Sequence, residues 1–395
     1  MNDSTATGAL ATGLTAAAIL VAAWAMPACA HEACAPVGAW AVPGGGPVAA
    51  PEILGRAAKA QVVLLGESHD NADHHRWELQ TVAALAALHP KLVLGFEMFP
   101  RRVQPVLDRW VAGEFGEAEF LKTSGWSQVW GYDAAFYLPL FHFARLNRIP
   151  MVALNIEHDF VRTVSDKGLA AVPSEKREGV SAPAAASEAY QARLFDAYAK
   201  HPEKRTSAPA RTDPEFRRFV EAQLVWDRAM AQALAAAVAR NPDALVLGIM
   251  GSQHIARGEG VPHQLDSLGV KRIASLLPWD ADADCGDFSS GLATAVFGLP
   301  AGSPAIAAPA PPLLGIQIEA VADGVRVVAV SSGSIAAASG LRADDVLTEA
   351  AGTAVKTPEE LKAIVVRMAP GTWLPLKAKR KGELIELTAK FPANK

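Results

Sequence analysis

Five short apolar runs, at positions 61–65, 91–96, 150–154, 244–249 and 270–275, constrain this chain more than any other feature. A strand that faces water on one side alternates apolar with polar residues, whereas these runs are apolar on both faces. Longer helical patterns separate them, so they predict an α/β fold with a mostly parallel central sheet flanked by helices, over 31–300 with its core at 60–280. The stretch 168–212 is rich in Ala, Pro, Glu and Arg and holds no strand-like run, so it reads as a helical or loop insertion placed to act as a lid.

The 395 residues are half apolar and one-fifth charged, with 37 basic against 41 acidic side chains and a formal charge of −4. No basic surplus exists for nucleic acid. One apolar run, 13–26, is followed by Pro27 and Ala28-Cys29-Ala30, the small-residue pattern of a signal-peptide cleavage site. No Lys or Arg precedes Arg56, so the usual basic n-region is missing. The expectation is a signal peptide at 1–30 and an exported, periplasmic chain. Met26-Pro27-Ala28-Cys29 also forms a poor lipoprotein box, with lipidation at Cys29 as the alternative. In an oxidising compartment the two other cysteines, Cys34 and Cys285, permit one bridge.

Residues 301–312 are Ala, Gly, Ser and Pro with one Ile, a composition that cannot build a core and reads as a linker. Beyond it, 313–393 carries short alternating strands and glycine turns. The residues Leu314-Gly315-Ile316, Ser334-Ile335-Ala336, Gly340 to Leu347 and Arg380 to Glu383 resemble a PDZ domain of the bacterial periplasmic type. The resemblance implies a small β-rich domain that captures a peptide or protein C-terminus by strand addition, with Leu314, Gly315 and Ile316 as the carboxylate-binding loop. The sequence departs from the pattern at Ala343-Asp344, where the family has glycine before the aspartate.

In a parallel sheet, sites form beyond the carboxyl ends of the strands. Four strands deliver polar residues there: Glu67, Ser68 and His69 from the first, Glu97 from the second, Asn155 from the third, and Ser252, Gln253 and His254 from the fourth. Asp70 and Asp73 read as the acidic start of a helix that carries His74 and His75. A helix from about 213 to 240 puts Gln223 and Asp227 inside the apolar stripe of Phe216, Val220, Met230 and Leu234. A buried amide and carboxylate need partners, and bracing His254 or His69 is the expected use. Seven aromatic residues crowd into 126–143, among them Trp126, Trp130, Tyr132 and Tyr137. They form either a helix core or a wall for a flat apolar ligand.

These residues together resemble the ChaN family of haem-binding bacterial proteins, related in fold to the Tiki and erythromycin-esterase group. The matching text is Val63 to Asp70 with His74-His75, Gly95 to Phe99, Trp126, Tyr137 to Leu140, Ala153 to Asn155, Glu221 to Gln223 with Asp227, and Gly251 to His254. The resemblance implies haem as cofactor, with Tyr137 as the iron ligand and Glu67, His69, His74, His75, Trp126, Trp130 and His254 around it. It also implies pairing of two molecules around stacked haems, and an outer-membrane haem receptor is a further candidate partner. Two other readings remain open. One is a metal-dependent hydrolase holding zinc or manganese with Glu67, His69, Glu97 and His254. The other is a PDZ peptide-binding adaptor.

Overall fold

The computed structural model describes residues 34–200, 210–302 and 313–393. The expected signal peptide, Cys29 and most of the 301–312 linker lie outside them. The chain divides into two compact units, Met1–Ser303 and Pro304–Lys395.

The first unit runs β1 (Trp40–Val42), β2 (Gly46–Val48), α1 (Ala50–Ala57), β3 (Val62–Glu67), α2 (Ala72–Leu88), β4 (Leu92–Pro100), α3 (Gln104–Ala112), α4 (Glu117–Ser124), α5 (Trp126–Val129), α6 (Ala134–Leu146) and β5 (Met151–Asn155). It continues with α7 (His158–Lys167), α8 (Glu188–Ala199), α9 (Pro214–Arg240), β6 (Leu245–Gly251), α10 (Val261–Ser267), β7 (Ile273–Asp280) and β8 (Ala295–Leu299). The eight strands form one sheet in the order β2-β1-β8-β7-β3-β6-β4-β5. Strands β3 to β8 pair in parallel, while β1 pairs antiparallel with β2 and β8. The five apolar runs are its five inner and edge strands β3 to β7. The short β1, β2 and β8 were invisible in the pattern because three to five residues broken by Gly and Pro carry no periodicity.

One face of the sheet packs Leu94, Phe96 and Leu65 against Trp77, Trp110, Phe120 and Phe141 of α2, α3, α4 and α6. The other packs Leu64, Val93 and Val246 against Met230, Leu234 and Leu265 of α9 and α10. With both faces covered, few polar residues stand along the inner strands, and apart from Ser275 of β7 they gather toward the carboxyl ends. β6 returns between β3 and β4, so the carboxyl ends of three strands lie side by side, with Glu67 level with Gly251. That reversal of strand order is the crevice in which open α/β sheets place their sites.

Cys34 and Cys285 are disulfide-bonded, with Cα atoms 5.6 Å apart and 251 positions between them in sequence. The bridge ties the segment before β1 to the turn that leads into β8.

The second unit is a six-stranded antiparallel sheet, β14-β13-β11-β10-β9 with β12 on β11. Its strands are β9 (Ile316–Val321), β10 (Gly324–Val330), β11 (Val346–Ala350), β12 (Thr353–Ala354), β13 (Trp373–Arg380) and β14 (Glu383–Lys390), with α11 (Ile335–Ala338) and α12 (Pro358–Val365). Asp344 adopts φ 69°, the left-handed turn for which the family uses glycine. The next residue, Asp345, is buried and accepts hydrogen bonds from Arg380 Nε at 2.8 Å, Arg380 Nη2 at 2.7 Å and Arg342 N–H at 2.9 Å. Burial pushes its carboxyl up, but the Arg380 fork outweighs that and holds it below the usual range.

Closing a loop this long restricts the unfolded chain, so Cys285→Ser is expected to cost about 2–4 kcal/mol. Thermal melting of wild type and variant, with and without reductant, checks this. The variant should melt lower without reductant, and reductant should lower only the wild type.

Candidate functional site

Glu67 ends β3 and is 2 % exposed. Its Oε1 accepts from His69 Nδ1 at 2.6 Å and from the Tyr137 hydroxyl at 2.9 Å, and its Oε2 stands 3.2 Å from His75 Nδ1. Burial would raise the pKa of this carboxyl, but the neighbouring imidazoles of His69 and His75 outweigh it and hold the group ionised. In return the carboxylates of Glu67 and Glu97 raise the pKa of His69 against its own burial.

The next strand end belongs to Glu97, which is buried on β4. Its Oε2 accepts from Gly251 N–H at 2.7 Å, and its Oε1 lies 3.5 Å from His254 Nε2. Asn155, at the end of β5, donates to the Glu97 carbonyl at 2.9 Å and accepts from Ile156 N–H, which fixes the strand end. A Cβ on Gly251 would lie 3.1 Å from His69 Cε1, so glycine lets the imidazole lie against the end of β6.

His254 Nδ1 meets Asp227 Oδ1 at 2.6 Å, and Tyr190 donates its hydroxyl to Asp227 Oδ2 at 2.8 Å. Burial alone would lower the pKa of His254; the carboxylates of Glu97 and Asp227 reverse this and raise it to about 9. The stripe position of Asp227 on α9 thus places a carboxylate directly on the histidine. Gln223, four residues earlier, is only half-buried and lines a separate cleft of about 750 Å³ with Ser252 and Gln253. Trp226 of the same helix packs its ring 5.0 Å from the His254 ring.

Several sequence expectations need correction. Tyr137 was expected to reach iron, yet it is fully buried and donates to Glu67. Burial and the Glu67 carboxylate push its hydroxyl far above the ordinary phenol range, opposite to what a phenolate ligand needs. His74 is buried too: its Nδ1 accepts from Ser68 N–H at 2.9 Å and its Nε2 meets Asp280 at 3.2 Å. His75 lies inside, with Glu67 Oε2 and Glu78 Oε2 about its Nδ1. Trp126 is a core residue whose Nε1–H donates to the Tyr132 carbonyl at 2.7 Å, so it holds the loop and forms no ligand wall. The cap of α2 is Asn71, which accepts from Asp73 and His74 N–H, because Asp70 lies one residue too early. Of the expected metal set, Glu67 meets His69 at 2.6 Å and Glu97 Oε1 lies 3.5 Å from His254 Nε2. Among the described residues, the one group of three such ligand atoms within 4.8 Å of one another is Glu67, His75 and Glu78.

An open face remains at the rim. The His69 side chain is 25 % exposed, its Nε2 makes no hydrogen bond to the described residues, and its ring lies 4.7 Å from Trp130 and 5.2 Å from Tyr132. Tyr132 is 40 % exposed. Sequence reasoning missed Tyr190, which sits in an insertion with no motif, and Glu78. The latter was findable, since His75-x-x-Glu78 puts both side chains on one helix face.

The class this defines is an α/β protein with a histidine–carboxylate rim and a tethered PDZ-like module. Residues 53–265 match the family model for haem-binding uptake proteins of the Tiki superfamily, ChaN, and residues 312–391 match the PDZ domain. The chain belongs to this haem-binding family. Among solved structures, it is similar to the ChaN of Campylobacter jejuni solved with cofacial haem, at 18% identity over 65% of this chain and 95% of that one, with a TM-score of 0.48. The C-terminal part is similar to the HtrA-type protease AlgW with a decapeptide, at 22% identity over 21% of this chain and 29% of that one, with a TM-score of 0.20. It is also similar to the HtrA3 PDZ domain bound to a phage-derived ligand, at 19% identity over 20% and 82%, with a TM-score of 0.18. No curated protein matches the chain.

A histidine raised to about 9 when folded, from 6.5, contributes stability that is complete below pH 6.5 and lost as pH rises through 9. The loss is roughly 3 kcal/mol. Urea midpoints of wild type and Asp227→Asn between pH 6.5 and 9.5 test this: the wild type should decline more steeply, and parallel curves would contradict it.

Proposed function

We propose that this chain is an exported haem-binding protein of bacterial haem or iron uptake, and that it holds ferric haem on the face of His69, Trp130 and Tyr132. The observation that carries this is the partly exposed imidazole of His69, with Nδ1 tied to Glu67 and Nε2 without a partner, between two aromatic rings. Phenolate and imidazole are haem-iron ligands and the flanking rings supply apolar surface, so the residues present fit the group. Bound there, haem would supply an iron that His69 or Tyr132 could ligate.

The chain's own part is to present those atoms. Glu67 accepts the Nδ1–H of His69 and leaves Nε2 without a hydrogen-bond partner among the described residues. Trp126, through the Tyr132 carbonyl, fixes the loop that carries the exposed phenol. Tyr132 is therefore the tyrosine proposed for the iron, with Tyr137 as the donor that steadies Glu67. Export rests on the apolar segment 13–26 and its Ala28-Cys29-Ala30 site, and the Cys34–Cys285 bridge suits an oxidising compartment.

The second unit supports peptide capture. A groove of about 190 Å³ between β9 and α12 is lined by Leu314, Gly315, Ile316, Leu361 and Val365. Gly315 has φ 77°, and a Cβ there would lie 2.3 Å from Ser334 Cβ, so the loop at the mouth of the groove requires glycine. Apolar lining selects an apolar terminal side chain.

Haemin titration of the mature chain should give a saturable Soret band with a tyrosinate charge-transfer feature. That feature should vanish in Tyr132→Phe and persist in Tyr137→Phe. No spectral shift in any of the three proteins would overturn haem binding, and loss confined to Tyr137→Phe would overturn the ligand. In fluorescence anisotropy on the full chain, a peptide ending in a free Val or Leu should bind at least tenfold more tightly than its amidated form.

A further inference from the structure

Behind the rim lies a cluster that shares only Glu67 with the proposed haem face. His75 and Glu78 of α2 face Glu67 of β3, and these three side chains are 3 %, 0 % and 2 % exposed. His75 Nε2 stands 3.2 Å from the His69 carbonyl. A carbonyl can only accept, so Nε2 carries a hydrogen and Nδ1 is the ring atom that faces the two carboxylates. Nδ1 lies 3.2 Å from Glu67 Oε2 and 3.1 Å from Glu78 Oε2. Two buried carboxylates thus converge on one imidazole nitrogen in a dry interior, where positive charge has to sit between them.

A second observation points the same way. Glu67 Oε2 and Glu78 Oε1 are buried carboxylate oxygens without a hydrogen-bond partner. The other Glu67 oxygen is already committed to Tyr137 and His69, which aims Oε2 inward. A single proton on His75 leaves two buried carboxylates sharing one positive charge. A divalent cation neutralises both and takes the imidazole lone pair as well.

We propose that Glu67, His75 and Glu78 form an internal site for a divalent transition metal, with zinc as the reference ion, separate from the haem face. The spacing suits it: ligand atoms 2.0–2.2 Å from a tetrahedral zinc stand about 3.3–3.6 Å apart, close to the observed separations. The supporting contacts are those of bound-metal sites, with the second histidine nitrogen on a backbone carbonyl and a ligating carboxylate held by further donors. On binding, the metal displaces any proton on His75 Nδ1 and on Glu78, and these leave to solvent.

The test is zinc alone, without haemin, so its outcome is independent of the haem reading. Full mature chain is stripped with chelator and dialysed against zinc, and bound metal is counted for wild type, Glu78→Gln, His75→Gln and His254→Gln. The expected result is one zinc per chain, at least tenfold weaker binding in Glu78→Gln and His75→Gln, and unchanged binding in His254→Gln. Cobalt substitution of the wild type should add the visible bands of a tetrahedral ion and serves if a variant does not fold. A wild type that takes up no zinc shows that a proton occupies the cluster and overturns the proposal. Binding kept in Glu78→Gln but lost in His254→Gln would move the site to the rim and overturn it equally.

Discussion

The rim depends on the ionised carboxylate of Glu67, held almost without water at the end of a central strand. An unpaired buried carboxylate costs several kcal/mol, so its donors are obligatory partners of the fold. His69, Tyr137 and His75 come from the loop after β3, from α6 and from α2, and each is oriented by this one group. The carboxylate thereby converts the packing of two helices into the position of one outward imidazole. It also explains why Tyr137 is interior: a neutral phenol is the donor that Glu67 Oε1 needs.

A parallel arrangement holds the second histidine. Asp227 braces His254 on one nitrogen while Glu97 faces the other, and Glu97 is itself tied to the amide that ends β6. Both histidines therefore have Nδ1 on a buried carboxylate, but His69 keeps more exposed surface, 25 % of its side chain against 10 %. Tyr190 extends this network into the segment 168–212, whose α8 is packed through Tyr190, Leu194 and Tyr198 against Phe216 of α9. Through Tyr190 the described part of that segment braces Asp227.

The parallel sheet was legible because strands buried on both faces leave unbroken apolar runs, and the sites at their carboxyl ends follow from topology. Convergence of Glu67, Glu97, Asn155 and His254 was therefore readable before any contact was known, as was Asp227 from its place in an apolar stripe. Which of these side chains faces solvent was not readable. The depth of Tyr137 against Tyr132, and of His75 against His69, depends on how α2 and α6 pack, and periodicity does not encode that. The edge strands β1, β2 and β8 were equally hidden, since their pairing is long-range and their lengths are too short for a pattern. Asp344 shows the converse: the missing glycine marked a turn where a non-glycine residue takes a left-handed conformation.

The most direct measurement of the central claim is the haemin affinity of Glu67→Gln beside wild type at pH 7. Glutamine preserves shape and removes the charge, so His69 and Tyr137 keep only a neutral amide oxygen as acceptor, without a cavity opening. If Glu67 sets the haem face from behind, the dissociation constant should rise at least tenfold, with a changed ring-nitrogen spectrum for His69. Wild-type affinity with an unperturbed His69 would contradict that role and leave the rim to be organised by packing alone.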